Sequence, residues 1–265
     1  LVAHLTDKER EAGLFTASTG NQGQSIAYAA RAYGLSATIA VPEGANSGKV
    51  AAMRNLGARV VFHGPDFDSA REWIKDVGEA QKGRFVSPTE ELLIHGVGSY
   101  ALEIIEDLPT VNTIIVPVGA GSGACATSIV AKSINPQIEI IAAQSAQAPA
   151  MQMSWASGEL VTAEMNTFAE GVATRVPFEN TQRIMRKYLD DFILVSDDSI
   201  EEAIILLLNH THNLAEGAGA VSLAAALQLR DRLRGRKVVL VMSGGNLSMD
   251  QLQRILGKCE KRAHR

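Results

Sequence analysis

Three turns hold most of the residues in this sequence that could do chemistry. In Val116-Pro117-Val118-Gly119-Ala120-Gly121-Ser122-Gly123, glycines stand between an apolar run of strand length and a helix-like stretch. N–H groups in the first turn of a helix have no intrahelical partner, and the helix dipole adds to their pull on an anion. Such a turn can therefore cradle a phosphate without a charged side chain. The same glycines would also permit close strand-to-helix packing. Ala17-Ser18-Thr19-Gly20-Asn21-Gln22-Gly23-Gln24 is a second turn, rich in small hydrogen-bonding side chains, whose amides suit a carboxylate. Taken alone it reads as an N-cap, because Ser, Thr and Asn favour that position. Ser243-Gly244-Gly245-Asn246 is the third, after the last strand-like run and before another helix. Turns at the carboxyl ends of strands converge where open α/β sheets bind ligands, so three together outweigh three unrelated caps.

Elements able to hold such turns alternate along the chain. Strand-like runs at 13–17, 36–41, 59–62, 113–118, 138–143, 192–195 and 238–242 are separated by stretches of helical periodicity. The helical stretches cover 20–33, 45–56, 69–81, 95–107, about 122–133, 199–212 and 217–233. The alternation predicts an α/β fold with two open, mostly parallel twisted sheets flanked by helices. Gly34 and Gly57 stand where left-handed stops end helices. Pro88-Thr89-Glu90-Glu91 reads as a turn before a helix and marks a domain boundary. Residues 14–90 are expected to form a small α/β domain, and 91–265 a larger one completed by residues 1–13 and a segment upstream of Leu1. The stretch 163–178 has mixed periodicity and is expected to be loop-rich.

Composition narrows the function classes. Lys and Arg number 25 against 29 for Asp and Glu, a net charge of −4, which offers no basic footprint for nucleic acid. No apolar run reaches the roughly 18 residues that span a bilayer, and the start lacks a cationic and apolar signal pattern. A soluble, cytosolic protein is expected, with neither nucleic acid nor membrane as partner. Cys125 and Cys259 have no Cys or His at metal-like spacing and read as inert thiols. His210-Thr211-His212 places its imidazoles on different sides of a helix end, which suits a solvated terminus better than a metal. His63 reads as a turn residue and His95 as a structural one. Glu170 would either touch a substrate's β-substituent or cap the Gly171 turn. A dinucleotide fold wants an acid at the far end of the strand after its glycine turn. Here Glu139 stands at that strand's beginning and the far end offers Gln144 and Ser145, which disfavours NAD.

The three turns, in this order, resemble those of the fold-type II pyridoxal-phosphate enzymes, the tryptophan synthase beta-like group, and most closely the serine/threonine dehydratases and serine racemases. The resemblance also takes in Val41-Pro42, Leu56-Gly57-Ala58, the stretch from Gly98 to Glu103, Phe168-Ala169-Glu170-Gly171 and Glu216-Gly217-Ala218-Gly219-Ala220. It implies pyridoxal 5'-phosphate bound in a cleft between the two domains, with an amino acid as substrate. Asn21 would hydrogen-bond the cofactor's phenolic oxygen, and the amides of Gly119, Ala120, Gly121, Ser122 and Gly123 would hold its phosphate. Ser243 would face the pyridine nitrogen. Ser18, Thr19, Gly20 and Gln22, with Gly171, would bind the substrate and fix its Cα–H bond for cleavage. Thr19 stands where the racemases carry a second-face Ser base.

Three departures from the family pattern bear on function. The Schiff-base Lys belongs to a Ser-Phe-Lys-x-Arg-Gly type motif that is not in this chain and is expected upstream of Leu1. Lys8, Lys49, Lys75, Lys82, Lys132, Lys187, Lys237, Lys258 and Lys261 lack that context and read as solvated surface cations. Gln22 takes a place often held by His, and Val97 one often held by Gln, which points to an atypical substrate choice. The family's cation site would use Glu216 and the Ala220 carbonyl, with an acid where Ser222 stands, so a divalent ion is weakened and a monovalent one remains open. The implied reaction is β-elimination of L-threonine or L-serine to a 2-oxo acid and ammonia. Alternatives are racemisation or β-replacement on the same scaffold, or a non-catalytic binding homologue if the Lys is truly absent. A homo-oligomer, dimer or tetramer, is expected from the resemblance.

Overall fold

The computed structural model describes residues 1–263, with side chains described through Lys258. The chain divides into two units, Leu1–Glu90 and Glu91–Arg265, and each is built on one parallel four-stranded sheet.

In the first unit, α1 (Asp7–Ala12) starts at a reciprocal cap: the Thr6 hydroxyl accepts from the Glu9 N–H, and the Glu9 carboxylate accepts from the Thr6 N–H. Then follow β1 (Leu14–Ala17), α2 (Asn21–Ala32), β2 (Ala37–Val41), α3 (Ser47–Asn55), β3 (Arg59–Phe62), α4 (Phe67–Ala80) and β4 (Arg84–Phe85). The strand order is β3-β2-β1-β4, with every pair parallel. All four residues of β1 are buried, as a strand covered on both faces requires. Phe15, Ala17 and Ala40 pack with Ala70 and Ile74 of α4. The left-handed stops occur as predicted, with φ of 67° at Gly34 and 93° at Gly57. Residues 1–13 belong to this unit rather than to the larger one. Gly13 is tied into its sheet region through the Arg84 N–H, and Glu9 pairs with Arg84.

The second unit runs α5 (Glu91–Asp107), β5 (Thr113–Pro117), α6 (Ser122–Ile134), β6 (Glu139–Ser145), α7 (Ala150–Ser157), α8 (Glu179–Tyr188), β7 (Asp191–Val195), α9 (Asp197–Thr211), α10 (Gly217–Gln228), β8 (Val238–Leu240) and α11 (Met249–Ala263). Its strands lie in the order β7-β6-β5-β8, again all parallel. The core gathers around α10, whose Ala218, Ala220, Val221, Ala224 and Ala225 let neighbouring elements approach closely.

Periodicity located most elements but missed three. β4 is two residues long, too short for alternation to register. α7 and α8 bury Ser154, Thr181 and Gln182 beside Met151 and Met185, so no clean apolar stripe announces them. α5 begins at Glu91 rather than 95, and α10 ends at Gln228 rather than 233. Residues 163–178 carry only a 3-10 turn, Glu170–Val172. Among the described residues, no helix is long and apolar enough to cross a membrane.

Candidate active site

In the first unit, β1 ends at Ala17 and α2 begins at Asn21, leaving Ser18, Thr19 and Gly20 as the bend. The buried Ser18 hydroxyl accepts from the Gly20 N–H at 3.1 Å and from the Gly23 N–H at 2.8 Å. It acts as the cap that its residue type suggested, accepting two amides and so holding the bend. Thr19 is half-exposed and Asn21 exposed. Gln22 is half-buried, and its Nε2 is fully buried without a hydrogen-bond partner, as is that of Gln24. A buried donor left unpaired costs on the order of 1–3 kcal/mol, so a ligand oxygen beside Gln22 would recover that free energy.

In the second unit, Gly121 adopts φ 97°, a left-handed conformation that favours glycine, and N-caps α6. The Cys125 N–H bonds back to the Gly121 carbonyl at 2.9 Å, so the amides of Ser122, Gly123 and Ala124 precede the helical ladder. Gly119, Ala120, Ser122 and Gly123 are half-exposed, which leaves the turn open rather than packed in the interior. Two side chains set its shape from behind. The Thr181 hydroxyl donates to the Ala120 carbonyl at 2.7 Å, and the Tyr100 hydroxyl donates to the Gly123 carbonyl at 3.1 Å. Tyr100 also pairs with the Thr127 hydroxyl at 2.5 Å, and burial raises its pKa.

Around this turn the second unit collects its other small residues. A Cβ on Gly119 would overlap the Gly171 carbonyl oxygen, and one on Gly219 would overlap that of Gly244. The Gly171 turn is held by Gln144, whose Nε2 donates to the Val172 carbonyl at 3.4 Å and to Thr174 at 3.2 Å. The third turn crosses the start of α10 through the Glu216 N–H, which donates to the Gly244 carbonyl at 3.1 Å. It lies beside the first turn because β8 neighbours β5 and the Val241 N–H donates to the Ile115 carbonyl at 3.0 Å. Ser243 is exposed. The fold thus brings Gly119–Gly123, Gly171 and Ser243 together in one unit, and places Ser18, Thr19, Gly20, Asn21 and Gln22 on one bend of the other.

Other expectations resolve as follows. Glu216 is buried at the N-cap of α10, and Ser222, 1% exposed, donates its hydroxyl proton to the Val241 carbonyl at 3.0 Å. Among the described residues no three His, Cys, Asp or Glu side chains gather as a metal cluster. Glu139 is the first residue of β6, in ion pairs with Arg232 at 2.5 Å and Arg236 at 2.7 Å. His63 stacks on Trp73 with ring centroids 4.5 Å apart, while His210 and His212 are exposed. The Cys125 thiol is buried, and burial pushes its pKa up to about 12. Cys259 and Lys261 lie outside the described side chains.

One cation departs from the surface reading: Lys49 is 7% exposed. Lys132 and Lys258 are also engaged, by Asp190 at 2.7 Å and Glu201 at 2.8 Å. Thr181, Tyr100 and Gln144 support the turns yet carried no sequence signal, since each acts across the fold on a distant carbonyl. Lys49 did carry one, because a Lys in the first turn of a helix opposes the dipole.

Two open parallel sheets, each with a glycine-bearing turn between a strand end and a helix start, place the chain in the α/β class. Within that class, residues 1–244 match the family described as pyridoxal-phosphate dependent enzymes, and the chain belongs to that family. It is 39% identical over 259 residues to an L-threonine ammonia-lyase of Thermotoga maritima, covering 97% of this chain and 64% of the relative, so it spans somewhat less than two thirds of that protein's length. Among solved structures, it resembles a processed threonine deaminase isoform 2 of Solanum lycopersicum, with TM-score 0.90, 29% identity and coverage of 97% and 76%. It also resembles a maize serine racemase, with TM-score 0.87, 29% identity and coverage of 98% and 81%.

The residues present fit the family's cofactor. The Gly121 cap leaves an open row of first-turn amides for a phosphate, and the close approach at Gly119 leaves no room there for a side chain.

Proposed function

We propose that this chain catalyses β-elimination of a hydroxy amino acid, L-threonine or L-serine, to a 2-oxo acid and ammonia. The observation that carries this reading is the half-exposed first turn of α6, braced from behind by Thr181 and Tyr100 and suited to a phosphate. When bound, pyridoxal phosphate supplies an electron sink at the substrate's α-carbon. The amides of residues 119–123 would hold the phosphate, and Asn21 would donate to the phenolic oxygen. Gln22 donates its buried amide to the substrate carboxylate, Thr19 and Gly20 shape that pocket wall, and Gly171 leaves space beside the substrate. Ser243 offers the pyridine nitrogen a neutral hydroxyl rather than a carboxylate. With the cofactor bound, that neutral group would leave charge at the α-carbon less dispersed and would favour prompt loss of the β-hydroxyl over long-lived proton exchange. A cofactor-bonding lysine of the kind this family carries would take the Cα proton.

Any cation held by Glu216 and the Ala220 carbonyl is proposed to be monovalent, because the neutral Ser222 already donates to Val241. Self-association as a dimer or tetramer and a cytoplasmic location belong to the same proposal. The half-exposed Thr19 hydroxyl favours racemisation as the second reading. Incubating the holoenzyme with L-threonine and L-serine decides between them. Release of 2-oxobutyrate and pyruvate with equimolar ammonia is expected, whereas D-amino acid without oxo acid would establish racemisation instead.

A further inference from the structure

One acid of α9 turns away from its own helix. Ser196 caps α9 by accepting from the Ser199 N–H at 3.2 Å, so the helix end has its cap without the Asp197 carboxylate. That carboxylate reaches across the fold instead. Its Oδ1 accepts from the Thr167 hydroxyl at 2.7 Å and from the hydroxyl of Ser145, the fully buried last residue of β6, also at 2.7 Å. Its Oδ2 accepts from the Phe168 N–H at 3.2 Å, and the Thr167 hydroxyl accepts in turn from the Ala169 N–H at 3.1 Å. Hydrogen bonds to an ionised carboxylate are among the stronger ones a protein makes.

The segment that starts at this anchor has no slack beyond it. Its Gly171 carbonyl lies against Gly119, where an added Cβ would stand 2.2 Å from that oxygen. A Cβ at Gly171 would stand 2.8 Å from that of Ala218, and one at Gly217 would stand 2.7 Å from that of Ala169. The segment is therefore flush with the glycine turn on one side and with the first turn of α10 on the other. Past Gly171, the fully buried Gln144 holds the Val172 carbonyl and the Thr174 hydroxyl. Between the two anchors the only regular structure is the 3-10 turn Glu170–Val172, so side chains do the fixing that a strand or helix ladder would otherwise do.

We propose that Asp197 is a positioning residue for the substrate pocket: through Thr167 and the Phe168 N–H it fixes the Glu170–Gly171 turn against the glycine turn, and so sets the room left at the substrate's β-carbon. The proposal rests on reading Gly171 as a wall beside the substrate. L-Threonine carries a β-methyl group that L-serine lacks, and one such group in a fitted pocket decides about 10- to 200-fold in kcat/KM. Asp197 governs that choice without touching substrate or cofactor.

The test compares Asp197→Asn, Thr167→Val and Thr167→Ser with the unaltered holoenzyme. Asparagine keeps the shape of the acid but brings an amide donor among groups that themselves donate. In Asp197→Asn and in Thr167→Val, kcat/KM for L-threonine relative to L-serine should fall about tenfold. The double variant should be no worse than the more severe single one, because both act through one contact. Thr167→Ser should match the unaltered enzyme, and Ser196→Ala, which weakens the α9 cap alone, should leave the ratio unchanged. A second measurement needs no turnover: in hydrogen exchange, the Phe168 and Ala169 amides should open about tenfold faster in Asp197→Asn and Thr167→Val, while amides in the middle of α9 keep their rate. An unchanged ratio in Asp197→Asn, a double variant whose losses add, or Phe168 and Ala169 amides as slow as in the unaltered protein would each overturn the proposal. If the unaltered enzyme forms no oxo acid, the β-elimination reading fails, and exchange at Phe168 and Ala169 still decides whether Asp197 fixes the turn.

Discussion

A hydroxyl behind the glycine turn governs more than its own hydrogen bond. Thr181 is fully buried and is the donor that orients the Ala120 peptide, so Thr181→Val leaves a carbonyl without that partner at a cost of about 1–3 kcal/mol. We expect cofactor affinity to fall roughly 10- to 100-fold in that variant, followed by absorbance titration, with Thr181→Ser close to the unaltered protein. Gly119→Ala is more severe, because the new methyl group would overlap the Gly171 carbonyl and one of the two turns must move. Cofactor retention through dialysis should be lost in Gly119→Ala while the melting temperature shows that the fold survives. The glycine turn itself was legible in the sequence, since a Gly cluster between strand and helix has few other uses. Thr181 was not, because it stands 61 residues from the carbonyl it holds and in a helix with no apolar stripe.

At the scale of elements, helices are placed by what they bury and tied by a few buried charges. α11 sets Ile255 into the core around α10, and its Arg254 and Lys258, one turn apart, both reach the buried Glu201 of α9 at 2.5 Å and 2.8 Å. The two cationic heads are half-exposed, so solvent screens the pairing and Glu201→Gln should cost about 1 kcal/mol. Hydrogen exchange should locate that loss, with amides of α11 opening faster and those of β5 unchanged. Parallel strands and their crossing helices followed from apolar runs and glycine stops, which are local signals. α7 and α8 did not, because their buried faces carry Ser154, Thr181 and Gln182, polar side chains that donate to the Val161, Ala120 and Met151 carbonyls outside their own helices.

For the whole molecule, buried acids set the alkaline limit of stability. Burial lifts the Cys125 thiol from 9.0 to about 12 and raises Tyr100 above 10.0. The folded state then keeps protons that the unfolded chain releases above about pH 9, so the unfolded state binds fewer protons and stability falls as pH rises from 9 towards 12. The melting temperature should be level near pH 8 and decline beyond 9, with part of that slope absent in Cys125→Ala. Iodoacetamide at pH 8 should leave Cys125 unmodified until the chain is unfolded. On the acid side, the Thr6 N–H and hydroxyl hold the Glu9 carboxyl below its ordinary 4.5. Its contribution is present above that value and is lost as pH falls through the lowered one.

The amino-acid order by itself determined the α/β class, the three turns and the anions they suit, because strand period, helix stops and amide-rich bends are written in neighbouring residues. Only the tertiary structure decided that the Ser18 hydroxyl caps its own bend, that Thr181 and Tyr100 brace the glycine turn, and that Lys49 is buried beside Gly20. Each of these depends on how closely two helices, or a helix and a loop distant in sequence, come to lie. That separation is set by side-chain volume across the contact, which no local pattern records.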